Sequence, residues 1–170
     1  MKTLLLLRHA KSSWDDAALN DFDRPLAQRG LGDAPRMGRA LSERGPAPDL
    51  VISSPAARAR QTVELFLQSS GYDLAPQFDG NIYDASAGEL MRLVRELPDS
   101  AACVLLVGHN PGFEYLASRL AAKQVRMPTA ALACIDLPVE KWEDVEEEQG
   151  RLAWHLVPKQ LQERGEEKLK

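Results

Sequence analysis

The sequence predicts an α/β protein: a three-layer α/β/α sandwich built on a mainly parallel sheet with an antiparallel edge. Three observations carry that expectation. Lys2 to Leu7, with four successive leucines, and Ala102 to Val107 are apolar runs that stop abruptly, as strands buried on both faces of a sheet do. Between and after them, segments with helical apolar spacing alternate with short extended runs, the pattern of a parallel sheet with crossover helices. The last two extended runs, Thr129 to Ile135 and Arg151 to Val157, lack a helix-sized crossover, which suits an antiparallel edge.

Each element has a local reason. After the leucine run and a polar loop from Lys11 to Arg24, Asp33 reads as a helix cap with Pro35 in the first turn. Ala34, Gly38 and Leu41 then share a face before Gly45 ends the helix. Asp49 to Ile52 is a short strand. Ser53-Ser54-Pro55 next reads as a cap with proline opening a helix to Ser70, its apolar face being Ala59, Val63, Phe66 and Leu67. The turn-rich stretch Gly71 to Tyr83 has room for one short strand around Phe78. Leu90, Leu93, Val94 and Leu97 mark a helix from Gly88 that Pro98 closes. Beyond the second apolar run, Asn110 reads as a cap and Pro111 as the first residue of an amphipathic helix reaching Lys123. The acidic stretch Trp142 to Gln149 reads as a solvated excursion.

Composition narrows the function. The 170 residues suffice for one core, with a single domain expected over residues 1–158 and a charged tail over 159–170. A formal charge of −4 gives no electrostatic footprint for nucleic acid. No stretch has the length of a membrane span or the pattern of a secretory leader, so a soluble, cytoplasmic protein is expected. Cys103 and Cys134 lie inside apolar runs and read as buried thiols of a reducing compartment. No metal-ligand spacing is present.

The chemistry is expected at the carboxyl ends of the strands, where ligands sit in open α/β sheets. His9 and His109, two of only three histidines, both stand there. Arg8 directly follows four leucines, and a guanidinium in that position must leave the core or bind something within it. Arg58 falls in the first turn of a helix just past another strand, where free N–H groups and the helix dipole favour an anion. Arg60, two residues on, faces another way.

Four segments then agree in order. Leu7-Arg8-His9-Ala10-Lys11-Ser12, Asp23-Arg24-Pro25-Leu26, Ser53-Ser54-Pro55-Ala56-Ala57-Arg58-Ala59-Arg60-Gln61-Thr62 and Val107-Gly108-His109-Asn110-Pro111 resemble the histidine phosphatase superfamily, and within it the SixA-type phosphohistidine phosphatases. The resemblance covers residues 1 to about 120. It implies a phosphoglycerate-mutase-like fold, no metal or organic cofactor, and catalysis through a phosphorylated histidine. His9 matches the nucleophile, and Arg8, Arg58 and His109 match the phosphate pocket. A neutral His9 and a charged His109 would serve phosphoryl transfer best, so environments that push the two pKa values apart are expected.

Larger superfamily members carry an acid for the leaving oxygen. The corresponding region here offers Asp84 first and Glu89 second, although the plainer reading is a turn aspartate and a helix-start glutamate favoured by the dipole. An imidazole leaving group needs less help from an acid than an alkoxide does, which favours phosphohistidine as substrate. Lys11 and Ser12 are candidates for the rim of the phosphate site, with Trp14 packed beside them or facing substrate, and Asp23 and Arg24 are expected to pair and hold their loop. His155, in a late strand, reads as structural. The expected partner is a phosphorylated protein, with a small phosphorylated molecule, such as a phosphomonoester or sugar phosphate, or a non-catalytic phosphate-binding role as the alternatives.

Overall fold

The structure, a computed structural model, describes residues 1–161, so most of the expected tail lies outside the described residues. Six strands form one sheet in the order β3-β2-β4-β1-β5-β6. They are β1 Lys2–Arg8, β2 Leu50–Ser53, β3 Gln77–Phe78, β4 Cys103–Gly108, β5 Leu132–Leu137 and β6 Arg151–Leu156. The first four pair in parallel, while β5 runs antiparallel to β1 and β6 antiparallel to β5. Helices α1 Gln28–Arg44 and α2 Ala57–Ser70 cover one face, and α3 Ala87–Arg95 and α4 Gly112–Ala121 cover the other. This is the mixed, mainly parallel α/β architecture that the alternation of elements predicts.

The leucine run sits where its composition requires. Leu4 to Leu7 pair with Val104 to Val107 on one side and with Leu132 to Ile135 on the other, and all four side chains are fully buried. Strand alternation sends Leu5 and Leu7 towards Met37, Leu41, Val63 and Phe66, and Leu4 and Leu6 towards Leu90, Val94, Phe113 and Leu116. One strand thus feeds two cores, each leucine contributing about 1.5–3 kcal/mol by burial.

Several local expectations are corrected. The first helix begins at Gln28, not Asp33, so Pro35 lies within it. Its opening turn shows no apolar stripe because Leu31 points outward and the inward position is Gly30, which lies against the backbone of Lys11. Asp33 is buried and accepts from Arg36 at 2.9 Å, so it is an interior ion-pair partner and not a cap. Pro55 precedes α2, which starts at Ala57, and Pro111 precedes α4. Asn110 turns its amide to Glu114 and to the Met127 carbonyl instead of capping. The acidic excursion is anchored: Trp142 and Val145 are fully buried, and the Trp142 indole donates to the Ala101 carbonyl at 2.8 Å. Its acidic members, Glu143, Asp144 and Glu146 to Glu148, face solvent. No helix among the described residues is long and apolar enough to cross a membrane.

Candidate active site

Three adjacent parallel strands, β2, β4 and β1, deliver their last residues to one place. Beyond the strand ladders, the Ser54 N–H donates to Val107, His9 donates to Gly108, and Ala130 donates to the His9 carbonyl, each at 2.9 Å. The backbone at His9 is therefore fixed on both sides, and the His9 and His109 rings lie 5.2 Å apart between centroids.

The two imidazoles are oriented differently. His9 Nδ1 lies 2.7 Å from the Ala10 carbonyl, which can only accept, so Nδ1 carries the hydrogen and the Nε2 lone pair is free to attack. His109 Nε2 is 2.7 Å from Ser54 Oγ, while its Nδ1 is buried with no partner. Burial, then the neighbouring cations, push His9 down to about 3. Burial and Arg58 push His109 down to about 4. A neutral His9 agrees with a nucleophile. The expected separation is not found, because both rings are buried beside the same two guanidiniums and move the same way.

Each arginine is held at its outer end. Arg8 Nη1 donates to the Met127 carbonyl at 3.1 Å, and that segment is fixed by Glu114, which accepts from Met127 N–H and from Asn110. Arg58 donates through Nη1 to the Asp21 carbonyl at 2.6 Å and through Nη2 to the Asp21 carboxylate at 3.0 Å. The Nε of each guanidinium is buried and unpartnered. Buried polar groups are nearly always hydrogen-bonded, so three orphaned nitrogens near the His9 imidazole (Arg8 Nε, Arg58 Nε and His109 Nδ1) make this cluster a candidate oxyanion site.

The structure brings Arg8, His9, Arg58 and His109 together, and it sends Arg60 out over the Phe78 ring. Lys11 is exposed, with its backbone carbonyl accepting from Ala27. Ser12 is buried and its hydroxyl accepts from Arg24 at 2.9 Å, so it supports the loop. Trp14 is 71% exposed and stacks on the Arg24 guanidinium. The loop is pinned by Arg24 as expected, yet its acidic partner is Asp21, at 3.0 Å, and not Asp23. A 3-10 turn over Asp21–Asp23, capped by Asn20, decides which carboxylate points inward. Glu89 closes a capping box with Ser86 at the start of α3. Asp84 is exposed in a left-handed turn, φ 56°, directly after Tyr83. His155 is half-buried on β6, and burial lowers its pKa.

Sequence reasoning missed Asp21, Tyr83 and the role of Ser54. Tyr83 donates to the Asp21 carboxylate at 2.6 Å and sets its ring edge-on to His109 at 5.4 Å. Phe22 in turn meets Tyr83 edge-on at 5.1 Å. Thr62 joins helix to strand by accepting from Ala10 N–H and donating to the Arg58 carbonyl. Among the described residues, no group of three or more histidine, cysteine or acidic side chains could hold a metal.

Comparison with known proteins agrees with this geometry. The model of the histidine phosphatase superfamily (branch 1) matches residues 4–102. Protein Rv1276c of Mycobacterium tuberculosis is 34% identical over 164 residues, spanning 90% of this chain and all of its own length. Among solved structures, the SixA protein of Agrobacterium tumefaciens, assigned as a phosphohistidine phosphatase, superposes with a TM-score of 0.79 at 29% identity over 92% of this chain and 98% of its own. The SixA protein of Nakamurella multipartitia, with the same assignment, gives 0.80 at 26% identity over 92% and 96%. With two strand-end histidines and two clamped arginines on this sheet, and with the family match spanning more than half of its length, the chain belongs to the histidine phosphatase superfamily, in its SixA-like branch.

Proposed function

We propose that this protein is a phosphatase that removes the phosphoryl group from phosphohistidine carried on a protein, through a covalent phosphohistidine on His9. The observation that carries this reading is the set of buried, unpartnered nitrogens, Nε of Arg8 and Arg58 and Nδ1 of His109, around a histidine whose free nitrogen is Nε2.

The chemistry follows from that arrangement. His9 Nε2 attacks phosphorus in line while the bond from phosphorus to the leaving nitrogen breaks; the substrate imidazole, protonated at its other nitrogen, takes the electron pair and departs neutral, and His9 is left as a phosphoimidazolium with its hydrogen on Nδ1. Water then attacks phosphorus, the bond to Nε2 breaks with its electron pair returning to a neutral His9, and both water protons leave on inorganic phosphate. Charge on the equatorial oxygens is met by two guanidiniums, fixed before substrate arrives, and by His109 once it is protonated. An incoming dianion favours protonation of His109, whose pKa burial and Arg58 hold down at about 4.

The carboxylates nearby favour a good leaving group. Asp21 is held well below the usual carboxylate range by Tyr83, Arg24 and Arg58, which suits an acceptor and not a proton donor. Glu89 is occupied with its capping box. An imidazole departs readily under these conditions, whereas an alkoxide would need an acid. Asp84, exposed beside Tyr83, is the candidate for whatever proton delivery an ester would require.

The test is turnover of a phosphohistidine-bearing protein against an aryl phosphate, with chelator present and His9→Ala as the blank. A higher kcat/KM on phosphohistidine and loss of acid-labile phosphoenzyme in His9→Ala are expected. Preference for the ester would redirect the reading to small phosphorylated molecules, and labelling retained in His9→Ala would refute the nucleophile.

A further inference from the structure

Asp21 lies in the 3-10 turn between β1 and α1 and touches neither histidine, yet it contacts Arg58, Arg24 and Tyr83 at once. Resting on the phosphoryl-transfer reading above, we propose that Asp21 is a positioning residue that grips the outer end of Arg58 and turns its Nε edge towards the transferring phosphoryl group.

The geometry of the guanidinium is the basis. Its five N–H bonds lie in one plane and offer two usable edges, one between the two Nη atoms and one beside Nε. Asp21 occupies the first edge twice, with its backbone carbonyl on Nη1 at 2.6 Å and its carboxylate on Nη2 at 3.0 Å. What remains is the Nε edge, and its N–H is buried without a partner. An unheld arginine would give up rotamer freedom each time substrate binds, and a clamped one has lost it on folding.

Asp21 is itself held. One carboxylate oxygen accepts from Arg24 Nη2 at 3.0 Å and the other from Tyr83 at 2.6 Å, and Arg24 is fixed by Ser12 and by the Trp14 ring. Through Tyr83 the same carboxylate orders the aromatic wall beside His109. Arg8 has a simpler equivalent, its Nη1 resting on the Met127 carbonyl, so both guanidiniums are gripped at the far end with Nε left free. Asp21 differs in that half of its grip, the half-exposed carboxylate on Nη2, is a side chain that can be replaced without touching the sheet.

The experiment measures calorimetric binding of vanadate and inorganic phosphate, together with kcat and KM on an aryl phosphate. It uses the full chain as wild type, Asp21→Ala, Asp21→Asn, Arg58→Ala and the Asp21→Ala/Arg58→Ala pair, with melting temperature as the check on folding. Asp21→Ala is expected to weaken vanadate by about tenfold or more, and phosphate by less, with kcat falling by a larger factor than KM rises. Asp21→Asn, which keeps an acceptor for Nη2, recovers part of the loss. The double variant is expected to be far less impaired than the two single losses multiplied, since most of the effect passes through Arg58 and only the remainder through Tyr83. Unchanged or tighter vanadate binding in Asp21→Ala, or full additivity with Arg58→Ala, would overturn the proposal. If the wild type binds neither oxyanion, the phosphoryl-transfer reading itself falls, a result distinct from tight wild-type binding that Asp21→Ala leaves intact.

Discussion

Arg58 and Arg60, two positions apart on α2, end in opposite surroundings. The first is 6% exposed beside the two histidines, and the second lies over Phe78 on the surface. Arg58→Ala is expected to lower kcat by about 10² or more, as loss of a donor to developing oxyanion charge does, while Arg60→Ala keeps a rate near wild type; steady-state kinetics of the two variants checks both. This division was legible in the sequence because helical geometry alone forbids residues two apart from facing the same way. Asp21 was not legible, since Asp21-Phe22-Asp23 offers two carboxylates and only the 3-10 turn chooses between them. Ser54 was hidden for another reason. A serine before a proline reads as a helix cap, and its hydroxyl does contact the Ala56 N–H at 3.2 Å, but it also sits 2.7 Å from His109 across the sheet.

At the level of elements, α1 packs closely against α2, and Gly38 allows the approach. A Cβ at Gly38 would overlap the Phe66 carbonyl and the Ser69 hydroxyl of α2. Glycine to alanine on a free helix stabilises by about 1 kcal/mol, but forcing a methyl group against a neighbouring backbone costs about 1–3 kcal/mol. Overpacking therefore wins, and Gly38→Ala is expected to lower the midpoint of denaturant unfolding. A raised midpoint would mean that α2 can move aside. The buried strands were readable because period and composition agree in them, and helix starts were less so. Gln28 opens α1 with an alanine cap that makes no side-chain hydrogen bond, leaving Asp33 and Pro35 as the stronger but misleading signals. The core position of Trp142 was masked by its acidic neighbours, although a tryptophan in such a run is itself a sign of an anchored loop.

For the molecule as a whole, the site couples function to stability. His9 at about 3 and His109 at about 4 are both depressed from 6.5, and His155 is lowered too, so below pH 6.5 the unfolded chain binds more protons than the folded one. The stability these groups contribute is present at neutral pH and is lost as pH falls from about 6.5 towards their folded values, and Asp21 adds a loss of the same sign at the acid end. The melting temperature is expected to drop between pH 7 and pH 4, and to drop less in a His9→Gln/His109→Gln variant; equal slopes would show that the acid sensitivity lies elsewhere. Oxyanion binding relieves the same strain, since a dianion raises both pKa values. The two cysteines, finally, sit inside the sheet at Cys103 and Cys134, buried, unpaired and with thiols pushed up to about 12. They are therefore expected to be silent towards alkylating reagents while the chain is folded. A single cysteine introduced on the loop between β1 and α1 could thus carry a fluorophore or spin label without stripping the native pair, which makes the wild-type background suited to distance measurements across the site.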